Sequence, residues 1–198
     1  MASKRRAEIT RKTRETDITL TLDLDGSGKY EVATGIGMLD HLLESLARHA
    51  LFDLNVQAKG DIDRDTHHLL EDIGLVLGQA LNQALGDRRG ITRFADATIA
   101  MDESLAHVVI DLGGRPYAAV DMPFVRDLVG ELPTENIAHL LEAMAQEGRM
   151  NLHVRVLSGD NDHHIAEAVF KGLARCLRTA VAIDARASDA IPSTKDVL

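Results

Sequence analysis

Two short runs carry the strongest chemistry in this chain: His67-His68-Leu69-Leu70-Glu71 and His163-His164-Ile165-Ala166-Glu167. On a helix, residues four apart share a face, so His67 sits over Glu71 and His163 over Glu167. An imidazole nitrogen and a carboxylate oxygen brought together in this way are donors for one divalent metal ion. The second histidine of each run, His68 or His164, points about 100° away around the helix. Each is better placed to reach a second ion than to share the first. A further pair stands in matched context, in His41-Leu42-Leu43-Glu44 and His139-Leu140-Leu141-Glu142. Six histidines and two glutamates divide into three His and one Glu per metal. An octahedral ion would then keep two positions for substrate or water, whereas closed four-ligand coordination would describe structural zinc. The bland alternative, polar decoration of helix ends, suits one His–Glu pair. It does not suit six histidines in duplicate. His107 and His153 fall outside the pattern, and His49 lies eight residues beyond His41 near a helix end.

These residues need positioning elements, and the sequence supplies them twice. The matched segments are offset by 98 residues (His41 to His139), 99 (Gly60-Asp61 to Gly159-Asp160) and 96 (His67 to His163). Three matches in one order indicate a duplicated lobe, with halves at 1–92 and 93–198. In the first half, Ile18, Leu20, Leu22 and Leu24 alternate with polar residues, a strand pattern. A strand at 30–32, a helix at 38–49 and a strand at 53–58 follow. The helix at 67–85 carries Leu70, Ile73, Leu77, Leu81 and Ala84 as its apolar stripe, with Asp65 or Thr66 as its cap. The second half repeats the order: strands at 95–101, 106–112 and 117–121, a helix at 134–146 starting at Pro133 or Thr134, a strand at 152–156, and a helix at 163–181 capped by Asp162. The predicted fold is α+β, an internally duplicated lobe in which each half is a small β-sheet with two helices packed on one face. Residues around one metal site then come from helices of both halves.

Composition limits the function further. The chain has 198 residues, 45% of them apolar and 27% charged, with one cysteine and a formal charge of −9. A lone Cys176 rules out a disulfide framework and a Cys-rich zinc site. It falls on the apolar stripe of the last helix, where packing is its role. Basic residues Lys4, Arg5, Arg6, Arg11, Lys12 and Arg14 crowd the start, while the remainder is strongly acidic. Nucleic acid is therefore not an expected partner, since phosphate-driven binding needs a net basic face. The basic start reads as a solvated edge strand rather than an anion-binding arm. No apolar stretch approaches the roughly 20 residues of a membrane span, and no apolar run follows the basic start as in a signal peptide. A cytoplasmic location without membrane contact is expected.

A second constellation suits an anion. Arg93 and Arg115 flank strands of the second half, Gly113-Gly114 permits close backbone approach, and Ser193-Thr194-Lys195 offers two hydroxyls and an ammonium after Pro192. Nucleotide loops are absent as motifs: Gly35-x-Gly37 meets Asp40 where a third glycine would stand, and no Lys-Ser/Thr follows. The glutamates follow both histidines, unlike the zincin motif, and there is no Gly-x-Ser-x-Gly elbow.

The segments Arg11-x-Thr13-x-Glu15-Thr16, Gly35-Ile-Gly37-Met-Leu-Asp40-His41, His67-His68-x-x-Glu71-Asp72, Asn161-Asp162-His163-His164-x-x-Glu167-Ala168 and Pro192-Ser193-Thr194-Lys195 resemble the imidazoleglycerol-phosphate dehydratases of histidine biosynthesis. The resemblance runs from about residue 5 to 198. The tail departs from the family pattern at Thr194, where a second Ser is expected, and at Asp196, where Gly is expected. The resemblance implies a homo-oligomer of 24 subunits with active sites between subunits, and two Mn2+ per active site. It implies as ligands His41, His67, His68, Glu71, His139, His163, His164 and Glu167. It implies phosphate contacts from Arg93, Arg115, Ser193 and Lys195, and a substrate-contacting acid at Glu15. The reaction implied is conversion of D-erythro-imidazole glycerol phosphate to imidazole acetol phosphate and water. In chemical terms, a ring held as imidazolate expels the adjacent hydroxyl to give a diazafulvene-like species, whose C–H becomes acidic enough for a carboxylate base. Glu15 is the candidate base and His49 a proton carrier; with the ligands Glu71 and Glu167 they form the expected catalytic set. A dinuclear metal phosphoester hydrolase is the alternative enzyme, and a metal-storage protein the non-catalytic one.

Overall fold

A computed structural model of the chain describes residues 5–198. Lys4, part of the basic opening run, lies outside them. The elements follow in the order β1 (Arg6–Lys12), β2 (Thr16–Asp23), β3 (Tyr30–Ala33), α1 (Gly37–Ala50), β4 (Asp53–Gly60), α2 (His67–Leu85), β5 (Phe94–Met101), β6 (Ser104–Asp111), β7 (Tyr117–Asp121), a two-residue pair β8 (Leu128–Val129) and β9 (Leu132–Pro133), α3 (Thr134–Glu147), β10 (Asn151–Ser158) and α4 (Asp162–Ala180). They build two four-stranded sheets, ordered β1-β2-β4-β3 and β5-β6-β10-β7. The two orders are the same once the short β8–β9 hairpin, inserted before α3, is set aside.

Alternation explains the sheets. Along β2, Ile18, Leu20 and Leu22 are buried and stand opposite Ala58, Val56 and Leu54 of β4 in antiparallel register. In each sheet one pair is parallel, β3 with β4 and β7 with β10. A parallel pair needs a crossover, which α1 and α3 provide. β1 forms the edge of the first sheet, as the basic start predicts, and three cations on or beside it are paired. Arg5 meets Asp25, Arg11 meets Asp72 and Lys12 meets Asp17.

The helices lie between the sheets. α2 packs on β1, β2 and β4, and α4 on β5, β6 and β10. α2 also packs against α3, and α1 against α4. Each helix–helix contact therefore joins one half of the chain to the other, and a single apolar core runs through all layers. Arg88 fastens the halves at one end: buried, it donates to the carbonyls of Leu112, Gly148 and Arg149 and to Asn82. Cys176 is buried with its thiol on the Val108 carbonyl, and burial pushes that thiol up to about 12. It is a packing residue.

One helix cap differs from expectation, that of α4. Asn161, not Asp162, caps α4, its side chain accepting the backbone N–H groups of His163 and His164. Asp162 is the first helical residue and instead accepts from the backbone of Val125 and Arg126, holding the loop before α3. At α2, Thr66 makes no cap bond, while Asp65 accepts from His67 N–H.

The α2–α3 contact depends on two glycines. A Cβ at Gly74 would fall 2.5 Å from the Leu140 carbonyl oxygen, and one at Gly78 2.5 Å from that of Met144. Both clashes are with backbone, so the helices must part. Overpacking of this kind costs about 1–3 kcal/mol. Gly74→Ala is expected to lower the melting temperature by roughly 2–4 °C for each kcal/mol lost, measured by thermal unfolding.

Candidate active site

The cross-half packing brings the predicted residues into two matched groups. His67 and Glu71 of α2 meet His139 of α3, while His163 and Glu167 of α4 meet His41 of α1. Within each group the donor atoms all lie within 4.8 Å of one another. In the first, the His67 and His139 rings stack at 4.6 Å and His139 Nε2 is 3.6 Å from Glu71. In the second, His41 and His163 stack at 5.5 Å, and their Nε2 atoms lie 3.4 and 3.3 Å from one Glu167 oxygen.

The fit to a cation rests on what these atoms lack. The Nε2 atoms of His41 and His139 are shielded from solvent and have no hydrogen-bond partner among the described residues. They occupy equivalent positions in the repeat. Unpartnered buried nitrogens are costly, and a divalent ion between two imidazoles and a carboxylate would satisfy both kinds of donor at once. Burial works against the charge of Glu167, but the Lys171 ammonium and His41 outweigh it and hold the carboxyl below its ordinary range.

His68 and His164 belong to neither group. Each ring sits edge-on to its neighbour, at 6.1 Å from His67 and 6.2 Å from His163. His68 faces Asp61 at 3.3 Å, and His164 Nδ1 lies 2.8 Å from Glu103. That contact holds Glu103 at about 2 and raises the pKa of His164. Their position on the helix directs them toward another ion, and the geometry takes them away from their own chain's groups. His49, in the last turn of α1, has its pKa lowered first by burial and then by Lys171, which favours the neutral, proton-accepting imidazole.

Glu15 lies exposed in the turn between β1 and β2. Its backbone N–H donates to Thr13 Oγ1, and its carbonyl accepts from Asp61 N–H, the same Asp61 that faces His68. Arg11 is committed elsewhere, to Asp72 at 2.7 Å, so it does not neutralise Glu15. Buried Asp72 also accepts from Thr16 Oγ1 at 2.5 Å. The turn is thus pinned to α2 one residue beyond Glu71.

The anion residues also converge. Arg93, Arg115, Ser193 and Lys195 line one cavity of about 680 Å³, with Phe94 and Thr194 among its other walls. Arg93 is largely spoken for: it grips Asp111 through two nitrogens at 2.7 and 3.1 Å and donates to the Pro192 carbonyl at 2.7 Å. It holds the tail in place and keeps only its remaining N–H donors for an anion. Asp196 has φ 57°, a left-handed conformation that glycine adopts without strain, in line with the departure seen in the tail.

This cavity lies at the far end of α4 from the His41–His163–Glu167 group. The Arg93 N–H donates to the carbonyl of Ala180, the last residue of α4. His163 stands at the other end of that helix, roughly 26 Å away at 1.5 Å per residue. The sequence assigns no partner role to Asp61, Asp72, Glu103 or Asn136. Lys171 alone had a local signal, at four residues past Glu167.

Comparison with known proteins agrees with this architecture. The imidazoleglycerol-phosphate dehydratase family profile matches residues 34–177. Imidazoleglycerol-phosphate dehydratases from Roseiflexus sp. and Dehalococcoides mccartyi are 57% and 55% identical, over 100% and 99% of this chain and 99% and 98% of theirs. Among solved structures, the enzyme from Pyrococcus furiosus superposes with TM-score 0.83 at 36% identity, covering 96% of this chain and 100% of its own. That from Staphylococcus aureus gives 0.82 at 32%, covering 90% and 99%. Fold and matches together define a lyase built on a duplicated α+β lobe. The chain belongs to the imidazoleglycerol-phosphate dehydratase family.

Removing the anchor of the β1–β2 turn tests its dependence on α2. Asp72→Ala leaves Arg11 and Thr16 without their acceptor and is expected to cost about 1–3 kcal/mol. Amide hydrogen exchange at Glu15 and Thr16 should accelerate together with that loss.

Proposed function

We propose that the chain dehydrates D-erythro-imidazole glycerol phosphate to imidazole acetol phosphate in histidine biosynthesis, using two Mn2+ per active site. The observation that carries the reading is the pair of repeat-related imidazole nitrogens, on His41 and His139, unpartnered and facing carboxylates. One ion would be held by His41, His163 and Glu167 and the other by His67, Glu71 and His139. His68 and His164, turned away from both groups, would complete shells in neighbouring copies of the chain. When bound, the ions supply positive charge at the two nitrogens of the substrate ring, stabilising negative charge there and easing departure of the hydroxyl on the adjacent carbon.

The chain's own residues do the rest. Arg115, Ser193 and Lys195 hold the phosphate, with Arg93 keeping the tail in position over it. Once the hydroxyl has left, Glu15 accepts the proton from the neighbouring side-chain carbon, and the enol that results tautomerises to the ketone. Neutral His49 is suited to carry a proton. Ring and phosphate of this substrate are separated by three carbons, whereas in one chain His163 and the end of α4 that Arg93 contacts stand roughly 26 Å apart. That distance supports active sites assembled between subunits and a large homo-oligomer of 24 chains. The two copies of the repeat are taken as 1–92 and 93–198. No described helix is long and apolar enough to cross a membrane, and with one unpaired cysteine the enzyme is assigned to the cytoplasm.

Mass spectrometry of the product separates this reading from a phosphoester hydrolase. A product lighter by one water with phosphorus retained is expected, and release of inorganic phosphate would overturn it. Glu15→Gln should lower turnover about 10²–10⁴-fold with metal content and assembly intact. Arg115→Ala should act mainly on KM.

Metal removal tests the assembly. Ions bound only by the assembled form stabilise it by mass action, so chelation is expected to shift sedimentation from a particle of 24 chains to smaller species, trimers among them. A particle unchanged after complete metal removal would show that protein contacts alone hold it.

A further inference from the structure

We infer that the two metal groups are unequal: the His67–Glu71–His139 group takes up a divalent ion first, and Lys171 holds back the His41–His163–Glu167 group. The inference rests on the metal-binding reading above and adds to it an order of filling and a cause.

Three differences at matched positions point the same way. The first is charge. Lys171 lies one turn beyond Glu167, and its ammonium sits 2.6 Å from Glu167 Oε1, while the other oxygen, Oε2, faces the two imidazoles. Half of this carboxylate is therefore committed to a cation, and a second positive charge lies within a few ångströms of the place a metal would occupy. Coulomb repulsion at that range, among partly buried groups, is large. Glu167 is only 11% exposed, so water does little to screen it. In the first half the residue one turn past Glu71 is Leu75, which has no charge. Glu71 is 41% exposed, and its one ion contact among the described residues is with His139.

The second difference is imidazole orientation. Asn136, buried on α3, presents its carbonyl oxygen to His67 Nδ1 at 3.3 Å. Its amide nitrogen donates to Thr66 Oγ1 at 3.0 Å, which fixes the amide that way round. An acceptor at Nδ1 selects the tautomer with its proton there and leaves the Nε2 lone pair for a metal. The matched residue on α1 is Met38, which offers His163 nothing of the kind. The third is the charge behind the ring. Glu142 lies 3.9 Å from His139 Nδ1, on the side away from the metal-type group. Its repeat partner Glu44 makes no such contact with His41 among the described residues. An anionic or accepting neighbour behind a histidine strengthens it as a ligand.

The test is titration of the metal-free full-length chain with manganese chloride, following free Mn2+ by electron paramagnetic resonance and heat by calorimetry. Two classes of site are expected, one equivalent each per chain, with dissociation constants differing by at least about tenfold, as outer-shell partners usually change metal affinity 10–100-fold. His139→Ala should remove the tight class and His163→Ala the weak one. Lys171→Met should tighten the weak class by roughly 10–100-fold and leave the tight class unmoved. Lys171→Arg, which keeps the charge, should leave the weak class weak. Glu142→Gln, at an exposed position, should weaken the tight class alone. Two equal sites in the unaltered chain, or a weaker second site in Lys171→Met, would overturn the inference while leaving the metal reading in place. Absence of any Mn2+ binding would instead overturn the metal reading itself.

Discussion

An imidazole nitrogen withdrawn from water with no hydrogen-bond partner is an unfavourable arrangement, and the described residues contain it twice at matched positions, on His41 and His139. Each is forced into place by a helix of one half packing against a helix of the other, α1 on α4 and α3 on α2. The sheets, in turn, exist to present those helices: β2, β4, β6 and β10 supply apolar inner faces, and the parallel pairs at their edges are closed by α1 and α3. Gly74 and Gly78 let α2 and α3 approach closely enough for the His67 and His139 rings to stack. Stability given up at the two nitrogens is thus offset by the core that surrounds them.

Much of this was legible from local pattern. Period-two alternation marked β2, and the stripe from Leu70 to Ala84 marked α2 at its observed limits. The repeat of His-His-x-x-Glu located both groups, and each takes in one residue from the His-Leu-Leu-Glu repeat. What stayed hidden depends on pairings across long stretches of sequence. Asn136 supports His67 from sixty-nine positions away, and Asp72 reaches back to Arg11 and Thr16. No periodicity announces such contacts. The cap of α4 is hidden for a different reason: Asn161 and Asp162 are adjacent and both competent, and the demand of Val125 and Arg126 for an acceptor decides which one faces the helix.

Duplication gave the chain two similar halves, and the differences between them are as informative as the likeness. The β8–β9 hairpin occurs in the second half only and rests on Asp162 through its preceding loop. Lys171 and Leu75, Asn136 and Met38, stand at matched positions with different chemistry. Lys171 keeps its contacts within the second half, to Glu167 and Met101, while Asn136 reaches across to His67 and Thr66.

The length of α4 has one more consequence. His163 stands at its first turn, while Arg93 contacts its last, roughly 26 Å away. If each working site draws one end from each of two chains, damage at the two ends is damage to two separable parts. A chain spoiled at His163 and another spoiled at Arg115, each inert alone, would supply one another's missing part when co-assembled. A fraction of the sites in such a mixed particle would be whole. In genetic terms, the two lesions would complement within a single gene product.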